Sequence, residues 1–229
     1  MDTRKFYYQE IADEFESLDN KYDLARRISI VFNDLLKGIP LQGSKVLDLG
    51  CGYGAFSIEL AKRGVDLISA DIGELLVRKT SATTNLPGAV LDACSIGLKS
   101  ESIDIMISSE MIEHTLSPTG AVREAGRILK VGGYLILTTP NYYWQWMVRL
   151  ASALRIRPFQ GYERFVRWIE LERMCEDSGL ELLRHVGFHP WPFQLRALNK
   201  LSLRVDEAFG ESFWARLMIN QAILATKVT

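Results

Sequence analysis

The sequence predicts an α/β fold in which a mostly parallel sheet is covered by helices on both faces. Short apolar runs, typical of buried strands, alternate along the chain with segments whose apolar residues recur at helical spacing. A turn with three glycines joins the first apolar run to a helix, and acids follow the second and third runs. Because ligands of such sheets bind at the carboxyl ends of the strands, the sequence predicts a site at that edge.

Composition limits the class of protein. The chain has 229 residues, 48% of them hydrophobic, so we expect one sizeable core and a single domain over residues 1–229. A formal net charge of -1 gives no general attraction to nucleic acid. Cys51, Cys94 and Cys175 are too few and too scattered for a disulfide framework, which favours a reducing cytoplasm. The charged N-terminus lacks the apolar core of a secretory signal.

The segment Lys45–Lys62 combines a strand, a turn and a helix in the order that builds a nucleotide site. A strand with a single acid, Asp48, is followed by Gly50, Gly52 and Gly54 at alternate positions. Glycines allow positive φ angles and leave no Cβ between the backbone and a ligand. We therefore expect a ligand to contact the backbone of this turn.

Two kinds of ligand fit the turn. Gly50, Gly52 and Ala55 match the dinucleotide spacing G-x-G-x-x-G/A, which would predict an NAD-linked oxidoreductase. Asp48 stands against this, because its carboxylate would repel a pyrophosphate but could attract a ligand ammonium group, directly or through water. An amino-acid-bearing nucleotide is therefore favoured.

Two phrases carry a family resemblance. Val46-Leu47-Asp48-Leu49-Gly50-Cys51-Gly52-x-Gly54 resembles motif I of the class I S-adenosylmethionine (SAM) methyltransferases, and EAGRILKVGGYLILTTPN resembles their post-motif region. The resemblance implies a Rossmann-like seven-stranded sheet, with SAM as cofactor and S-adenosylhomocysteine as product. In this family the glycine turn wraps the methionine part of the cofactor.

The first 40 residues precede this core and show apolar positions at helical spacing, which predicts a helical extension. In the methyltransferases that the chain resembles, such an extension often covers the cofactor as a lid. Tyr7, Tyr8 and Tyr22 would then face the cofactor. The other interpretation, that they are packing residues of amphipathic helices, stays open.

The second and third strands each lead to an acid. Asp71 ends the strand that begins at Val65, about 20 residues after the glycines, where an acid can accept from both ribose hydroxyls. Capping of the next helix is the alternative role. Asp92 follows the third strand, Ala89–Leu91. The resemblance assigns Asp92 to the adenine amino group and the Ala93 backbone to a ring nitrogen, whereas Asp92 could also be an ordinary loop residue.

The fourth strand, over residues 102–109, leads to the pair Glu113-His114. This pair resembles the Glu-His pair of the branch that includes ubiquinone-type methyltransferases, and Ser109 ends the strand at the edge expected to face the transferred methyl group. His114 could remove a proton from a substrate hydroxyl, because imidazole titrates near neutrality. It could equally bond the backbone and shape the pocket.

The remaining elements continue the alternation. The sequence predicts a helix from Pro118 to Leu129 that ends in Lys130–Gly133, a fifth strand over 134–141, a helix over 169–178, a sixth strand over 180–186 and a last strand over 218–228. In the family, the seventh strand runs antiparallel beside the sixth.

Two aromatic-rich segments, 142–167 and 188–216, interrupt this pattern, and we expect both to cap the acceptor pocket. The first contains five arginines and one acid, Glu163. Its composition also suits contact with an anionic membrane or a homodimer surface. An apolar pocket with a rim of arginines predicts a hydrophobic or lipid-like acceptor with an anionic group.

These observations predict a SAM-dependent methyltransferase that acts on an oxygen or carbon of a small molecule, with 41–141 as its cofactor-binding core. No His, Cys and carboxylate set has metal-ligand spacing, so no metal is expected. The alternatives are an NAD-linked oxidoreductase and a SAM-binding protein without transferase activity. With His114 as the candidate base, the predicted cofactor-binding residues are Asp48, Gly50, Cys51, Gly52, Gly54, Asp71, Ile72, Asp92, Ala93, Ser109 and Tyr8.

Overall fold

The computed structural model describes residues 7–155 and 161–228, in which strands and helices alternate. The strands are β1 (Lys45–Leu49), β2 (Asp66–Asp71), β3 (Gly88–Val90), β4 (Ile103–Ser109), β5 (Leu129–Pro140), β6 (Leu180–Phe188) and β7 (Asn220–Lys227). The helices are α1 (Tyr7–Glu10), α2 (Phe15–Leu18), α3 (Lys21–Ser29), α4 (Ala55–Ala61), α5 (Glu74–Thr84), α6 (Pro118–Ile128), α7 (Gln145–Ala153), α8 (Trp168–Glu176) and α9 (Asn199–Phe209). A π-helical turn, Ile30–Leu35, continues α3, and 3-10 turns cover Ile112–His114, Tyr142–Trp144, Arg196–Leu198 and Phe213–Leu217.

The described strands form one seven-stranded sheet in the order β3-β2-β1-β4-β5-β7-β6. β1 to β5 pair in parallel, whereas β7 lies antiparallel between β5 and β6. The strand order changes direction between β1 and β4, which is where a parallel sheet opens a crevice for ligands. The predicted α/β fold, its seven strands and the antiparallel last strand are confirmed.

Side chains that alternate along β1 explain why both faces of the sheet are covered. Val46 packs into a cluster with the π-helical turn and α4, whereas Leu47 and Leu49 pack into a cluster with α6 and α8. All three side chains are buried. Truncation of one of these leucines to alanine would cost about 2 to 5 kcal/mol of folding free energy. The sheet edge that carries the glycine turn is therefore held by two separate cores.

Two strands are longer than predicted. β5 begins at Leu129, directly after α6, because Leu129 pairs with Ile103 of β4 and the ladder resumes with Tyr134 opposite Ile105. Residues 130–133 therefore form an irregularity in the strand, and the prediction that they only end the helix is wrong. β6 continues to Phe188, so the second aromatic segment starts one residue later than predicted.

The N-terminal extension is helical over most of its described length, as predicted, while residues 1–6 lie outside the described residues. Lys79 of α5 holds it by donating from Nζ to the carbonyl oxygen of Ala12 at 2.9 Å. In the two described ranges, no helix has both the length and the apolar composition needed to cross a bilayer.

Candidate active site

A cavity of about 830 Å³ opens at the carboxyl ends of the parallel strands. Its walls come from the strand ends, from the helical extension, from α7 and from the loop after β6. The predicted site residues that line it are Tyr8, Gly50, Cys51, Gly52, Asp71, Ile72, Asp92, Ala93, Ser109 and His114. Asp48 and Gly54 are not among its lining residues.

The glycine turn forms the floor of this cavity. Gly50 and Gly52 have φ angles of +80° and +52°, which residues with a side chain rarely adopt. A Cβ on Gly52 would lie 2.9 Å from the ring of Phe15, and one on Gly50 would lie 2.3 Å from Cγ of Met111. The backbone N–H groups of Gly50 and Cys51 donate to the carbonyl oxygen of Ala70 in β2. The turn is thus a fixed cradle with no room for side chains.

Asp71 lies at the end of β2 and holds the turn from the other side. Its carboxylate accepts from the N–H of Gly52 at 3.1 Å and from the N–H of Gly73 at 2.9 Å. Burial raises the pKa of Asp71, and these backbone hydrogen bonds oppose the rise. Because each carboxylate oxygen has a second lone pair, Asp71 can still accept from hydroxyl groups of a ligand in the cavity.

Asp48 is placed differently from the prediction. Its carboxylate is buried beneath the turn, where it accepts from Ser57 Oγ at 2.5 Å. Burial raises the pKa of Asp48 to about 7, while the Ser57 hydroxyl opposes the rise. A direct bond from Asp48 to a ligand ammonium group does not fit this geometry. Gly54 also lies away from the cavity: it precedes α4 with φ +96°, packed against Thr80.

Asp92, Ala93 and Ile72 form the wall beside β2 and β3. Asp92 Oδ1 accepts from the N–H of Cys94 at 2.9 Å, which orients the carboxylate at the start of this loop. Ala93 is buried, and the partly buried Leu91 lines the cavity beside it. This wall is a slot of apolar side chains with the carboxylate of Asp92 at its edge.

Arg27 of α3 is a cavity residue that the sequence reasoning missed. Its guanidinium donates to Asp23 at 2.8 Å, to Asp19 at 3.0 Å and to Ser109 Oγ at 3.3 Å. Burial would lower the pKa of Arg27, but the carboxylates of Asp23, Glu110 and Asp19 raise it. Asp19 also accepts from the Tyr53 hydroxyl at 2.7 Å, so this network ties the extension to the glycine turn.

The electrostatic character of the cavity favours a cation. Among the described residues that line it, Arg27 is the one arginine and there is no lysine, whereas seven lining residues carry carboxyl groups: Asp19, Asp23, Asp71, Asp92, Glu110, Glu113 and Glu163. Burial raises the pKa of Glu110 to about 7 and that of Glu113 well above its ordinary value, so these two acids contribute less negative charge near neutral pH than the other five. A pyrophosphate would meet repulsion here, whereas SAM, which carries a sulfonium and an ammonium group against one carboxylate, fits this charge.

His114 lies at the cavity wall with both ring nitrogens engaged. Nδ1 is 2.9 Å from the carbonyl oxygen of Tyr162, and Nε2 is 3.1 Å from the hydroxyl of Tyr8. Glu113 is buried beside it, with Oε1 at 3.8 Å from Nε2 and Oε2 accepting from Thr139 at 2.9 Å. The structure therefore brings Tyr8 of the N-terminal extension to the candidate base, whereas Tyr22 lies elsewhere and donates to the carbonyl oxygen of Asn199.

The two aromatic segments contribute less to the cavity than predicted. From the first, Trp144, Met147, Val148, Ala151, Glu163 and Phe165 line the wall. From the second, the loop residues Pro192, Phe193 and Gln194 line it, whereas helix α9, which lies within the predicted cap 188–216, does not. α9 instead contacts α3, where Asp206 accepts a hydrogen bond from Nε of Arg26 at 3.1 Å.

The predicted arginine rim is also wrong for the described residues. Arg149 and Arg155 are exposed and do not line the cavity, and Arg164 is paired with Glu170. Arg167 stacks over the ring of Tyr142, 4.4 Å from its centroid. Arg157 and Phe159 lie outside the described residues. Composition alone could not tell on which side of the segment these side chains would lie.

Comparisons with known proteins identify the family. A family model described as a methyltransferase domain matches residues 19–185. The ubiquinone biosynthesis O-methyltransferase of Nitrosococcus oceani is 31% identical over an alignment of 168 residues, which covers 68% of this chain and 71% of that protein. The chain belongs to the methyltransferase family. SAM is its cofactor, and nothing in these comparisons supports an NAD-linked oxidoreductase.

Solved structures of methyltransferases share this fold. A SAM-dependent methyltransferase from Thermotoga maritima superposes with a TM-score of 0.68 at 20% identity, covering 97% of this chain and 99% of that chain. The geranyl diphosphate C-methyltransferase of Streptomyces coelicolor gives a TM-score of 0.63 at 18% identity, covering 87% and 78%. Within the described residues of this methyltransferase, no group of three or more His, Cys, Asp or Glu side chains is arranged to hold a metal ion.

Proposed function

We propose that the chain is a single methyltransferase domain whose 41–141 core holds SAM along the edge of β1, β2 and β3. The ribose hydroxyls bond Asp71, and the adenine ring lies in the slot beside Asp92 and Ala93. The methionine part crosses Gly50, Cys51 and Gly52, which line the cavity, and the two glycines place no Cβ between the backbone and the ligand. The lining of the cavity supports each of these contacts.

The methionine carboxylate is assigned to the part of the cavity whose wall is formed by α3 of the N-terminal extension. Arg27 is buried there, so it offers the cation that this carboxylate needs, and Ser109 Oγ lies beside it. The carboxylates around Arg27 attract the ammonium group. Asp48 acts from below by holding Ser57 and the start of α4, which keeps the turn in place. Residues 1–40 are the lid over this part of the site.

For the acceptor, we propose an aromatic hydroxyl group on a hydrophobic small molecule. The relative from Nitrosococcus oceani is named as an O-methyltransferase of ubiquinone biosynthesis, and this similarity supports an oxygen acceptor. At about 830 Å³ the cavity lies in the upper part of the range of about 300 to 1,000 Å³ for ligand sites, which allows a second molecule beside SAM. The side chains of Met147, Val148 and Phe193 make that end apolar.

The observation that carries this proposal is the position of His114. Its Nε2 lies at the wall of the cavity beside Tyr8 of α1, in the turn after β4, whereas the slot assigned to adenine lies at β2 and β3. SAM supplies an electrophilic methyl group on a sulfonium sulfur. His114 serves as general base for the acceptor hydroxyl, which makes the oxygen a better nucleophile during the transfer, an effect worth about 10²- to 10⁴-fold in rate.

We also propose that the enzyme is cytoplasmic and that the outer face of α7 is a peripheral membrane contact. Trp146 and Leu150 are 60% and 51% exposed, although the opposite face of the same helix lines the cavity. Arg149 lies between them, and residues 142–155 contain no acid, which suits an anionic bilayer. An acceptor dissolved in a membrane would reach the cavity past this helix. A second copy of the chain is the alternative occupant of the surface.

An acceptor panel tests the function. We expect S-adenosylhomocysteine to form with catechol-type acceptors that carry an apolar chain, and turnover to fall when the chain is removed. His114→Asn should lower turnover by about 10²- to 10⁴-fold with little change in SAM affinity. Turnover confined to small polar amines, or an active His114→Asn enzyme, would contradict the proposed acceptor or the proposed base respectively.

A further inference from the structure

We propose that Tyr8 is a catalytic residue that passes the proton of the acceptor hydroxyl to His114. The inference rests on the proposed O-methylation with His114 as its base, and it gives Tyr8 a part in the reaction beyond covering the cofactor. Tyr8 lies on α1, and its hydroxyl is 3.1 Å from Nε2 of His114 inside the cavity.

The hydrogen bonds of His114 fix which nitrogen can accept a proton. The carbonyl oxygen of Tyr162 can only accept, so the 2.9 Å contact requires a hydrogen on Nδ1 of His114. In the neutral imidazole, Nε2 then carries the lone pair, and the Tyr8 hydroxyl is its donor. An acceptor molecule therefore meets the Tyr8 oxygen at the position where it would otherwise meet Nε2.

Aromatic packing holds Tyr8 in this place. Its ring meets the edge of the His114 ring at a centroid distance of 4.9 Å and packs on Phe15 at 4.6 Å. Phe15 in turn lies over Gly52 of the glycine turn. The carboxylate of the buried Glu113 also faces this nitrogen, with Oε1 at 3.8 Å from Nε2. The helical extension thus places the Tyr8 hydroxyl at His114 and covers the glycine turn with Phe15.

In this proton relay, from the acceptor hydroxyl through Tyr8 to His114, one methyl group is transferred and one proton is displaced. The acceptor oxygen bonds to the methyl carbon while the carbon–sulfur bond breaks and its electron pair stays on sulfur. The acceptor proton moves to the Tyr8 oxygen as the Tyr8 proton moves to Nε2. The products are the methyl ether, neutral S-adenosylhomocysteine, an unchanged tyrosine and a His114 imidazolium, which releases its proton to solvent.

The test compares Tyr8→Phe with Tyr22→Phe, which removes a hydroxyl from the same extension outside the cavity. Both variants keep their rings. We expect Tyr8→Phe to lower kcat by about 10- to 100-fold, with SAM affinity changed less than about twofold, and Tyr22→Phe to keep wild-type kcat. Across acceptors of decreasing hydroxyl pKa, the deficit of Tyr8→Phe should shrink, because a more acidic hydroxyl needs less help to lose its proton.

Three results would overturn the relay. These are a wild-type kcat in Tyr8→Phe, a deficit that does not depend on acceptor pKa, and a loss of SAM affinity that accounts for the whole deficit, which would make Tyr8 part of the lid only. The proposed function fails separately, through absence of O-methylated product with the wild-type enzyme or through full activity of His114→Asn.

Discussion

The carboxylate of Asp71, at the end of β2, accepts a hydrogen bond from the backbone N–H of Gly52 in the glycine turn at 3.1 Å. One side chain thus fixes the glycine turn, and by our assignment it also binds the ribose while the turn faces the methionine moiety. Both the position of the glycine turn and the proposed ribose contact therefore depend on Asp71.

Replacement of Asp71 by alanine should weaken SAM binding by about 1.5 to 3 kcal/mol, because the ribose hydroxyls lose a charged acceptor and the Gly52 N–H loses its partner. Calorimetric titration with SAM measures the change. Asp66→Ala, at the exposed opposite end of the same strand, is the matched control and should bind SAM normally. Unchanged affinity in Asp71→Ala would remove Asp71 from the site.

Gly52→Val should abolish SAM binding while the protein stays folded. Its branched side chain would enter the space between the turn and Phe15, at a φ of +52° that valine avoids. Gly43→Val is the control, since Gly43 also has a positive φ, of +77°, but has open space around it. Circular dichroism verifies folding, and normal SAM affinity of Gly52→Val would show that the turn lies away from the cofactor.

Arg27→Lys should reduce SAM affinity by about tenfold, because lysine keeps the charge but cannot contact Asp19, Asp23, Ser109 and a carboxylate at the same time. The neighbouring Arg26 pairs with Asp206 and does not line the cavity, so Arg26→Lys is the control. Equal affinities in the two variants would refute our assignment of the methionine carboxylate to Arg27.

The raised pKa of Asp48 makes a prediction about pH. The pKa of this acid is about 7 in the folded chain against an ordinary value of 3.8, so the folded state binds the proton more tightly. Its contribution to stability is therefore full below about pH 4 and is lost as the pH rises to about 7. In Asp48→Asn this dependence should vanish, and the stability difference between variant and wild type should shift in favour of the variant by roughly 2 to 4 kcal/mol across that range.

Urea denaturation of both proteins between pH 4 and 8 measures this difference. Glu110 and His185 also titrate abnormally, and the comparison removes their contributions because both proteins share them. A pH-independent difference between Asp48→Asn and wild type would show that Asp48 titrates at its ordinary value in the folded chain.

The outer face of α7 should govern contact with membranes. The double substitution Trp146→Ser with Leu150→Ser should reduce co-sedimentation with anionic liposomes, because it removes the largest exposed apolar side chains of that face. Turnover of a short-chain acceptor should not change. Leu75→Ser on α5, an equally exposed leucine, is the control. No liposome binding by the wild type, with a dimer in solution, would assign this face to a second copy of the chain.

The sheet and its ligand edge could be predicted from the sequence because their signals are local. Apolar runs indicate buried strands, and glycines indicate positions where φ can be positive. The spacing from Gly50 to Asp71 corresponds to one turn, one helix and the next strand. The misplacement of Asp48 has a simple cause. A strand position next to a turn does not reveal which face of the sheet the side chain takes, and here Ser57 draws it beneath the turn.

The other half of the cavity depends on contacts between residues far apart in the chain. The hydrogen bond between Arg27 and Ser109 joins residues 82 positions apart in the sequence, and that between Tyr8 and His114 joins residues 106 positions apart. No sequence motif around Arg27 or Tyr8 indicates either contact. An arginine on an amphipathic helix reads as a solvated residue. Only the return of the extension over the sheet, which buries Arg27 among carboxylates, makes it part of the site.

The position of the transferred methyl group tests the central claim most directly. The wild-type enzyme is incubated with SAM labelled with ¹³C in the methyl group and with a catechol that carries an apolar chain, and the products are analysed by mass spectrometry and NMR. The account predicts one S-adenosylhomocysteine for each labelled methyl ether, and no label on the same compound without hydroxyl groups. Label on carbon or nitrogen, or SAM that binds without transfer to any hydroxyl acceptor, would contradict it.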